Sequence, residues 1–165
     1  MSQIVRVTEM HVRPADPAEI DHLAGIWYDG WQDAHAGILP PELARRRTLD
    51  SFRDRLRAAL DDLRVVGLPG GAVGFCFVRE DELCQLYVSA TARGSGAAAT
   101  LIADAESRMR EAGVETAWLA CAVGNERAAR FYEKHGWRRV GTVMHQPDDS
   151  GGIEFEVWRY EKRLR

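Results

Sequence analysis

Leu86-Tyr87-Val88-Ser89-Ala90-Thr91-Ala92-Arg93-Gly94-Ser95-Gly96-Ala97-Ala98 passes from an apolar stretch into an alanine-rich one, with two glycines at the joint. Residues 82–89 read as a strand. Residues 96–112 read as a helix with Leu101, Ile102, Ala105 and Met109 on one face, stopped by Gly113. A strand that enters a helix through Arg-Gly-Ser-Gly-Ala-Ala suits a diphosphate. Small side chains admit it to the backbone, the first helical N–H groups lack partners, and Arg93 adds a cation. No Gly-Lys-Ser/Thr follows, so the loop is not a P-loop. It lies mid-chain with alanines after Gly96, which fits a dinucleotide fingerprint poorly. Taken alone, such a turn is equally compatible with structural punctuation.

Working outward, residues 4–12 alternate as a half-buried strand does. Asp16 caps, and Pro17 opens, a helix to about Trp31 with Ile20, Leu23, Ile26 and Trp27 at helical spacing. Gly37 and Pro40-Pro41 precede a second helix over about 42–62, whose outer face is rich in arginine and aspartate. Residues 64–68 and 72–79 flank a Pro-Gly-Gly turn and read as a β-hairpin. Residues 116–122 form a short apolar strand of the kind buried on both faces. Asn125 caps a helix to about His135, ended by Gly136. Two last strands, about 137–145 and 153–161, flank a polar turn with Pro147, Asp148 and Asp149. The order β-α-α-β-β-β-α-β-α-β-β describes a mixed α/β domain around one sheet, with a central βαβ crossover.

The 165 residues, 45% of them hydrophobic, suffice for one domain with a real core. A net charge of -3 gives no electrostatic reason to expect nucleic acid or a membrane surface as partner. No apolar run approaches a membrane span, and the N-terminal stretch lacks a signal-peptide core, so a cytoplasmic location is expected. Cys76, Cys84 and Cys121 match no zinc motif, their odd number argues against a disulfide framework, and no metal is expected.

Arg93-x-x-Gly96-x-Ala98 matches the (Gln/Arg)-x-x-Gly-x-(Gly/Ala) signature of the GNAT acetyltransferases. Downstream, Asn125-x-x-Ala128-x-x-Phe131-Tyr132-x-Lys134-x-Gly136-Trp137 resembles that family's second hallmark at all seven positions, and Gln85-Leu86-Tyr87-Val88 resembles its fourth strand. The resemblance is close over about 64–137. It implies a single GNAT domain over residues 1–165, with a mixed, mostly antiparallel sheet of about seven strands between flanking helices. It also implies acetyl-CoA (coenzyme A) as cofactor. The backbone of Leu86, Tyr87 and Val88 would meet the pantetheine arm, Arg93, Gly94, Ser95, Gly96, Ala97 and Ala98 the diphosphate, and Asn125 the cofactor as well as its own helix.

By the same resemblance Tyr132 would protonate the leaving thiolate or order the thioester, and an unpaired amide near Val88 would stabilise the tetrahedral oxyanion. An amine acceptor must first lose a proton. Glu82 is the candidate base, placed by strand alternation on the face of Cys84, Leu86 and Val88; a solvated turn with Glu80 and Asp81 is the rival reading. A route through acetyl-Cys84 lacks a nearby histidine in sequence. Trp27, Tyr28, Trp31 and His35 are candidate acceptor contacts, with core packing expected for at least one tryptophan. Trp158 and Tyr160 raise the same ambiguity, and His145 with the loop after it is placed to close over the acceptor. Expected is an N-acetyltransferase acting by direct transfer on a primary amine, with a small molecule favoured over a protein N-terminus or lysine. A silent acyl-CoA-binding sensor is the alternative, and pairing into a homodimer is compatible with the resemblance.

Overall fold

In the computed structural model, residues 10–68, 70–147 and 150–165 are described. Most of the strand read over 4–12, and Pro69, Asp148 and Asp149 of the two turns, lie outside the described residues. The first described strand is β1 (Val12–Pro14). Asp16 then starts a capping box: its carboxylate accepts from the Ala18 N–H, and Glu19 accepts from the Asp16 N–H at 2.9 Å. Glu19 also holds the Arg13 guanidinium at 2.6 and 3.0 Å, which ties β1 to the turn entering the helix.

Helix α1 (Ile20–His35) runs one turn beyond the expected end at Trp31. No breaker precedes Gly37, and the buried Trp27 and Trp31 hold the helix on the sheet through Gly30. The segment read as one helix over about 42–62 is divided into α2 (Pro41–Arg46) and α3 (Leu49–Ala58), followed by a short 3-10 turn. Thr48 is the cause. Its hydroxyl accepts from the Ser51 N–H at 3.1 Å and starts a new helix, while Arg47 leaves helical geometry at φ -90° and ψ 64°.

The hairpin is β2 (Leu63–Leu68) and β3 (Gly71–Arg79), followed by β4 (Glu82–Val88). Then come α4 (Ala97–Glu111), β5 (Thr116–Ala122), α5 (Glu126–Lys134), β6 (Arg138–His145) and β7 (Phe155–Arg163). The seven strands make one sheet in the order β1-β2-β3-β4-β5-β7-β6, antiparallel except for the parallel pair β4–β5. This is the mixed α/β architecture expected.

Two cores lie on opposite faces of the sheet. On one face Leu23, Trp27, Phe52 and Leu56 of α1 and α3 pack on Leu63, Val65, Phe75 and Phe77. On the other, Leu101, Ile102 and Met109 of α4 pack on Cys76, Leu119 and Tyr160. The helix α4 is tied to the later strands by Glu106, which accepts from the Trp137 indole at 3.0 Å and pairs with Lys162 at 2.7 Å. Strand β5 is not buried on both faces: Ala117, Leu119 and Cys121 are, whereas Trp118 and Ala120 are half-buried. The reason is coverage, because α1 packs on β3 and β4 and stops short of β5.

Helix α1 approaches β4 most closely at Gly30, where an added Cβ would stand 2.6 Å from the Tyr87 ring. That ring is packed against Phe75 and Trp27, at centroid distances of 5.9 and 6.0 Å, and must shift toward the cleft to make room. In an ordinary helix Gly→Ala stabilises by about 1 kcal/mol. Here overpacking of about 1–3 kcal/mol opposes that gain, so Gly30→Ala is expected to lower the thermal midpoint. Differential scanning fluorimetry checks this; a raised midpoint would contradict the close seat of α1.

Candidate active site

Strands β4 and β5 part almost as soon as they meet. They share one residue pair, Glu82 with Trp118, and a backbone bond from the Trp118 N–H to the Asp81 carbonyl at 2.9 Å. Beyond it they diverge, and the wedge between them opens into a cleft of about 860 Å³. The other edge of β4 stays paired with β3 through Ser89, whose N–H donates to the Val73 carbonyl at 2.8 Å. In an antiparallel ladder, hydrogen-bonded and non-bonded pairs alternate. Ser89 and Tyr87 therefore spend their main-chain groups on β3, and Leu86 and Val88 turn theirs toward the cleft. Leu86 and Val88 thus present main-chain groups to the cleft, whereas Tyr87 meets it with a side chain that also packs under α1.

A bulge at Cys84 interrupts the same strand: Phe77 pairs with Gln85 and Val78 with Leu83, leaving Cys84 as the extra residue. The alternation read from sequence is reset there. Glu82 shares the α1 side with Cys84, Gln85 and Tyr87, whereas Leu86 and Val88 face α4 and α5. The expectation that Glu82 shares a face with Leu86 and Val88 is thus corrected. It lines the cleft from the side of α1 to α3.

The cleft passes through the sheet, with walls on both faces. On the α4–α5 side, Gly94 and Gly96 take φ of +79° and +91°, a left-handed geometry that glycine adopts freely. A Cβ at either would meet open space, so the loop leaves a bare cradle before the first turn of α4. Ser95 turns back on the loop: its hydroxyl donates to the Ala92 carbonyl and accepts from the Ala97 N–H at 3.3 Å. The N–H groups of Ala98 and Ala99 lack intrahelical acceptors and lie at the cradle. Arg93, Arg127 and Lys134 line this side, three cations fit for a polyphosphate. Arg93 is paired with Asp33 of α1 at 3.1 Å, an exposed contact that costs little to exchange. Asn125 caps α5, accepting from the Ala128 N–H at 3.4 Å, and also lines the cleft. These groups suit a diphosphate and an amide-bearing arm.

Tyr132 stands on the same side, half-buried against Phe131, Trp137 and Tyr160. Burial pushes its phenol well above the ordinary range, and Cys121, Tyr87 and Cys76 add to the shift. At neutral pH it is protonated and can donate its O–H.

On the other side, Trp27 is fully buried and Trp31 nearly so, yet both reach the cleft wall. His35 lines it too; burial lowers its pKa to about 4 against a smaller upward pull from the Trp31 carbonyl, so the ring is neutral at pH 7. Tyr28 does not line the cleft. It is 37% exposed on the far flank of α1, edge-on to Phe52, because it follows Trp27 by one position and so points away. Trp158 and Tyr160 pack under α4 and α5 and do not line the cleft, whereas His145, Gln146 and Pro147 do. Arg47, Arg55, Leu39 and Leu43 also line this side. Sequence reasoning missed the two arginines and Leu43 by reading α2 and α3 as one helix with an arginine- and aspartate-rich outer face; the Thr48 cap was the available signal.

The three thiols are poor nucleophiles. Burial pushes Cys76, Cys84 and Cys121 up to about 12. Cys84 is also turned to the Glu82 carbonyl at 3.8 Å, which leaves little support for an acetyl-cysteine route. Among the described residues no helix is long and apolar enough to cross a membrane, and no group of three or more His, Cys, Asp or Glu is placed to hold a metal.

Comparison with known proteins agrees with this geometry. The Acetyltransferase (GNAT) family pattern matches residues 21–137. An uncharacterized N-acetyltransferase from Mycobacterium bovis is 35% identical over 112 residues, covering 65% of this chain and 69% of the relative. A GCN5-related N-acetyltransferase from Rhodopseudomonas palustris shares the fold with a TM-score of 0.74 at 21% identity, over 93% of this chain and 95% of that one. So does yncA, a putative acetyltransferase from Salmonella typhimurium solved with acetyl-CoA, with a TM-score of 0.69 at 15% identity over 94% of each chain. The chain belongs to the GNAT acetyltransferase family.

Thiols held near 12 are ionised roughly a thousandfold less than free cysteine at pH 7.5. Iodoacetamide is expected to leave all three unmodified in the folded protein and to label all three in denaturant. Rapid native labelling of Cys84, read by mass spectrometry, would reopen the covalent route.

Proposed function

We propose that the protein transfers an acetyl group from acetyl-CoA to the primary amine of a small molecule by direct attack. The observation that carries this is the cleft that crosses the sheet between β4 and β5. Its glycine cradle and cations suit a nucleotide thioester on the α4–α5 side. Its α1–α3 side offers a separate, aromatic-walled approach for an acceptor. Donor and acceptor then meet without a covalent enzyme intermediate, in keeping with unreactive thiols.

In this mechanism the amine forms a C–N bond to the thioester carbonyl, the C–S bond breaks, and coenzyme A leaves as its thiol. Glu82, on the acceptor side, takes the ammonium proton directly or through water. The Val88 amide, facing the cleft, donates to the oxyanion. Tyr132 donates to the departing sulfur from the opposite side and regains its proton, directly or through water, from the nitrogen that has attacked. Walls built by α1, α2 and residues 145–147 favour a small acceptor over a protein surface. One domain is enough for these roles. A silent acyl-CoA sensor would have no use for a proton donor beside the wedge.

Calorimetry with acetyl-CoA, followed by thiol release against a panel of amines, tests the proposal. Tyr132→Phe is expected to lower kcat by a factor on the order of 100, with the acetyl-CoA Kd within about twofold of wild type. Binding without turnover on any amine would favour the sensor, and no binding would remove the proposal altogether. Glu82→Gln is expected to move the acidic limb of the kcat/KM pH profile upward, toward the acceptor's own ammonium pKa. An unmoved limb would exclude Glu82 as the base.

A further inference from the structure

We infer that the free edge of β6 is the interface at which two copies of this chain pair, strand to strand, about a two-fold axis near Thr142. This assembly does not depend on the activity proposed above.

The two edges of the sheet differ. Strand β1 ends on Pro14, which has no N–H to offer another strand. Strand β6 runs for eight residues, Arg138–His145, with neither proline nor lysine. It is paired on one side with β7, so the main-chain groups turned the other way lie open. An irregularity between Arg139 and Gly141 bends its first part, but the pairs from Gly141 with Arg159 to His145 with Phe155 follow without a break. Six large hydrophobic side chains are exposed among the described residues, and three belong to this strand: Val140 at 46%, Val143 at 45% and Met144 at 58%. A fourth, Ile38, borders the hollow that adjoins Met144. A regular, apolar and unprotected edge is a template for another strand.

Charge selects a second copy as the partner. The first end of β6 is basic, with Arg138 and Arg139. Beside its last end stand Glu154 and Glu156, the latter paired with Met144. Arg138, Glu154 and Glu156 are exposed, and none belongs to an ion pair among the described residues. Glu161, opposite Arg138, is held by Arg159 instead. Two like edges that pair antiparallel meet the same residues in reverse order. The basic end of each strand therefore reaches the acidic end of the other, twice over. An axis near Thr142 also sets Val140 of one copy beside Met144 of the other.

One strand pair alone is small against the roughly 800 Å² per partner that a stable dimer buries. The adjoining hollow enlarges the contact. Ile38, Pro40, Pro41 and Val123 flank Met144 there, an apolar bed at the end of the strand that receives the start of the other β6. The same edge borders the cleft. His145 ends β6, Gln146 and Pro147 follow it, and all three line the acceptor side. Pairing of the two edges thus steadies one wall of that side in each copy.

Sedimentation velocity and light scattering on the full chain test this. At micromolar concentration the wild type is expected at twice the chain mass of 18.5 kDa. Val143→Lys and Met144→Lys alter exposed side chains outside both cores, and are expected to give monomers that still unfold cooperatively by circular dichroism. Arg138→Glu is expected to weaken the dimer about fivefold, since the two-fold axis repeats the lost contact. Residues opposed across an antiparallel pair stand about 4.5–5.5 Å apart, within disulfide reach. Thr142→Cys is therefore expected to yield a covalent dimer under mild oxidation, whereas His11→Cys, beside the β1 edge, yields none. The native thiols, held near 12, stay silent. A monomeric wild type would overturn the inference. So would a dimer that survives Val143→Lys and Met144→Lys together, because its contact then lies elsewhere. If the lysine variants fail to fold, the cross-link decides: a dimeric wild type whose Thr142→Cys form does not cross-link rules out pairing at β6.

Discussion

The parting of β4 from β5 after one shared residue pair is the constraint on which the rest of the structure depends. A parallel pair inside a sheet ordinarily keeps its ladder, since each unpaired buried amide or carbonyl is costly. Here Glu82 and Trp118 pair and the strands then separate. The outer edges compensate: β4 remains on β3 through Ser89, and β5 is paired along its whole length with β7. The sheet is in effect two sheets, β1 to β4 and β5-β7-β6, hinged at one point. Every side chain proposed to act lies along the gap or over it.

The two cores follow from that division. Helix α4 spans the halves on one face and is held to the later strands by Trp137, Glu106 and Lys162. On the other face α1 and α3 cover only the first half. That uneven coverage leaves Trp118 and Ala120 half-buried and lets the gap open toward α2. Opposite faces thus acquire opposite characters. One offers glycines, free helical amides and three cations; the other offers tryptophans, a neutral histidine and two inward arginines.

Much of this was legible in the sequence, for identifiable reasons. Local signals placed the hairpin, both glycine-terminated helices and the Asn125 cap, because turns, caps and periodic faces are written in neighbouring residues. The paired motifs around Gly96 and Tyr132 identified the family. Features set by tertiary packing were not legible. Alternation alone put Glu82 with Leu86 and Val88, since a bulge at Cys84 leaves no mark in composition. Tyr28 could not be told from Trp27 and Trp31 without knowing which flank of α1 meets the sheet. Three consecutive arginines look like a solvated face until Thr48 is seen to end one helix and begin another.

The close seat of α1 bears on how such a site can diversify. Gly30 lies so near Tyr87 that a larger residue must displace the ring, and Trp27 is packed among Phe52, Phe75 and Phe77. That wall cannot drift without disturbing the strand that carries the chemistry. Helix α2 is a different case, two turns long with Leu43 its one buried residue. Substitutions at its exposed positions leave both cores intact. New acceptor preferences can therefore arise at exposed positions of α2 with less disturbance to the cores than at α1 or β4.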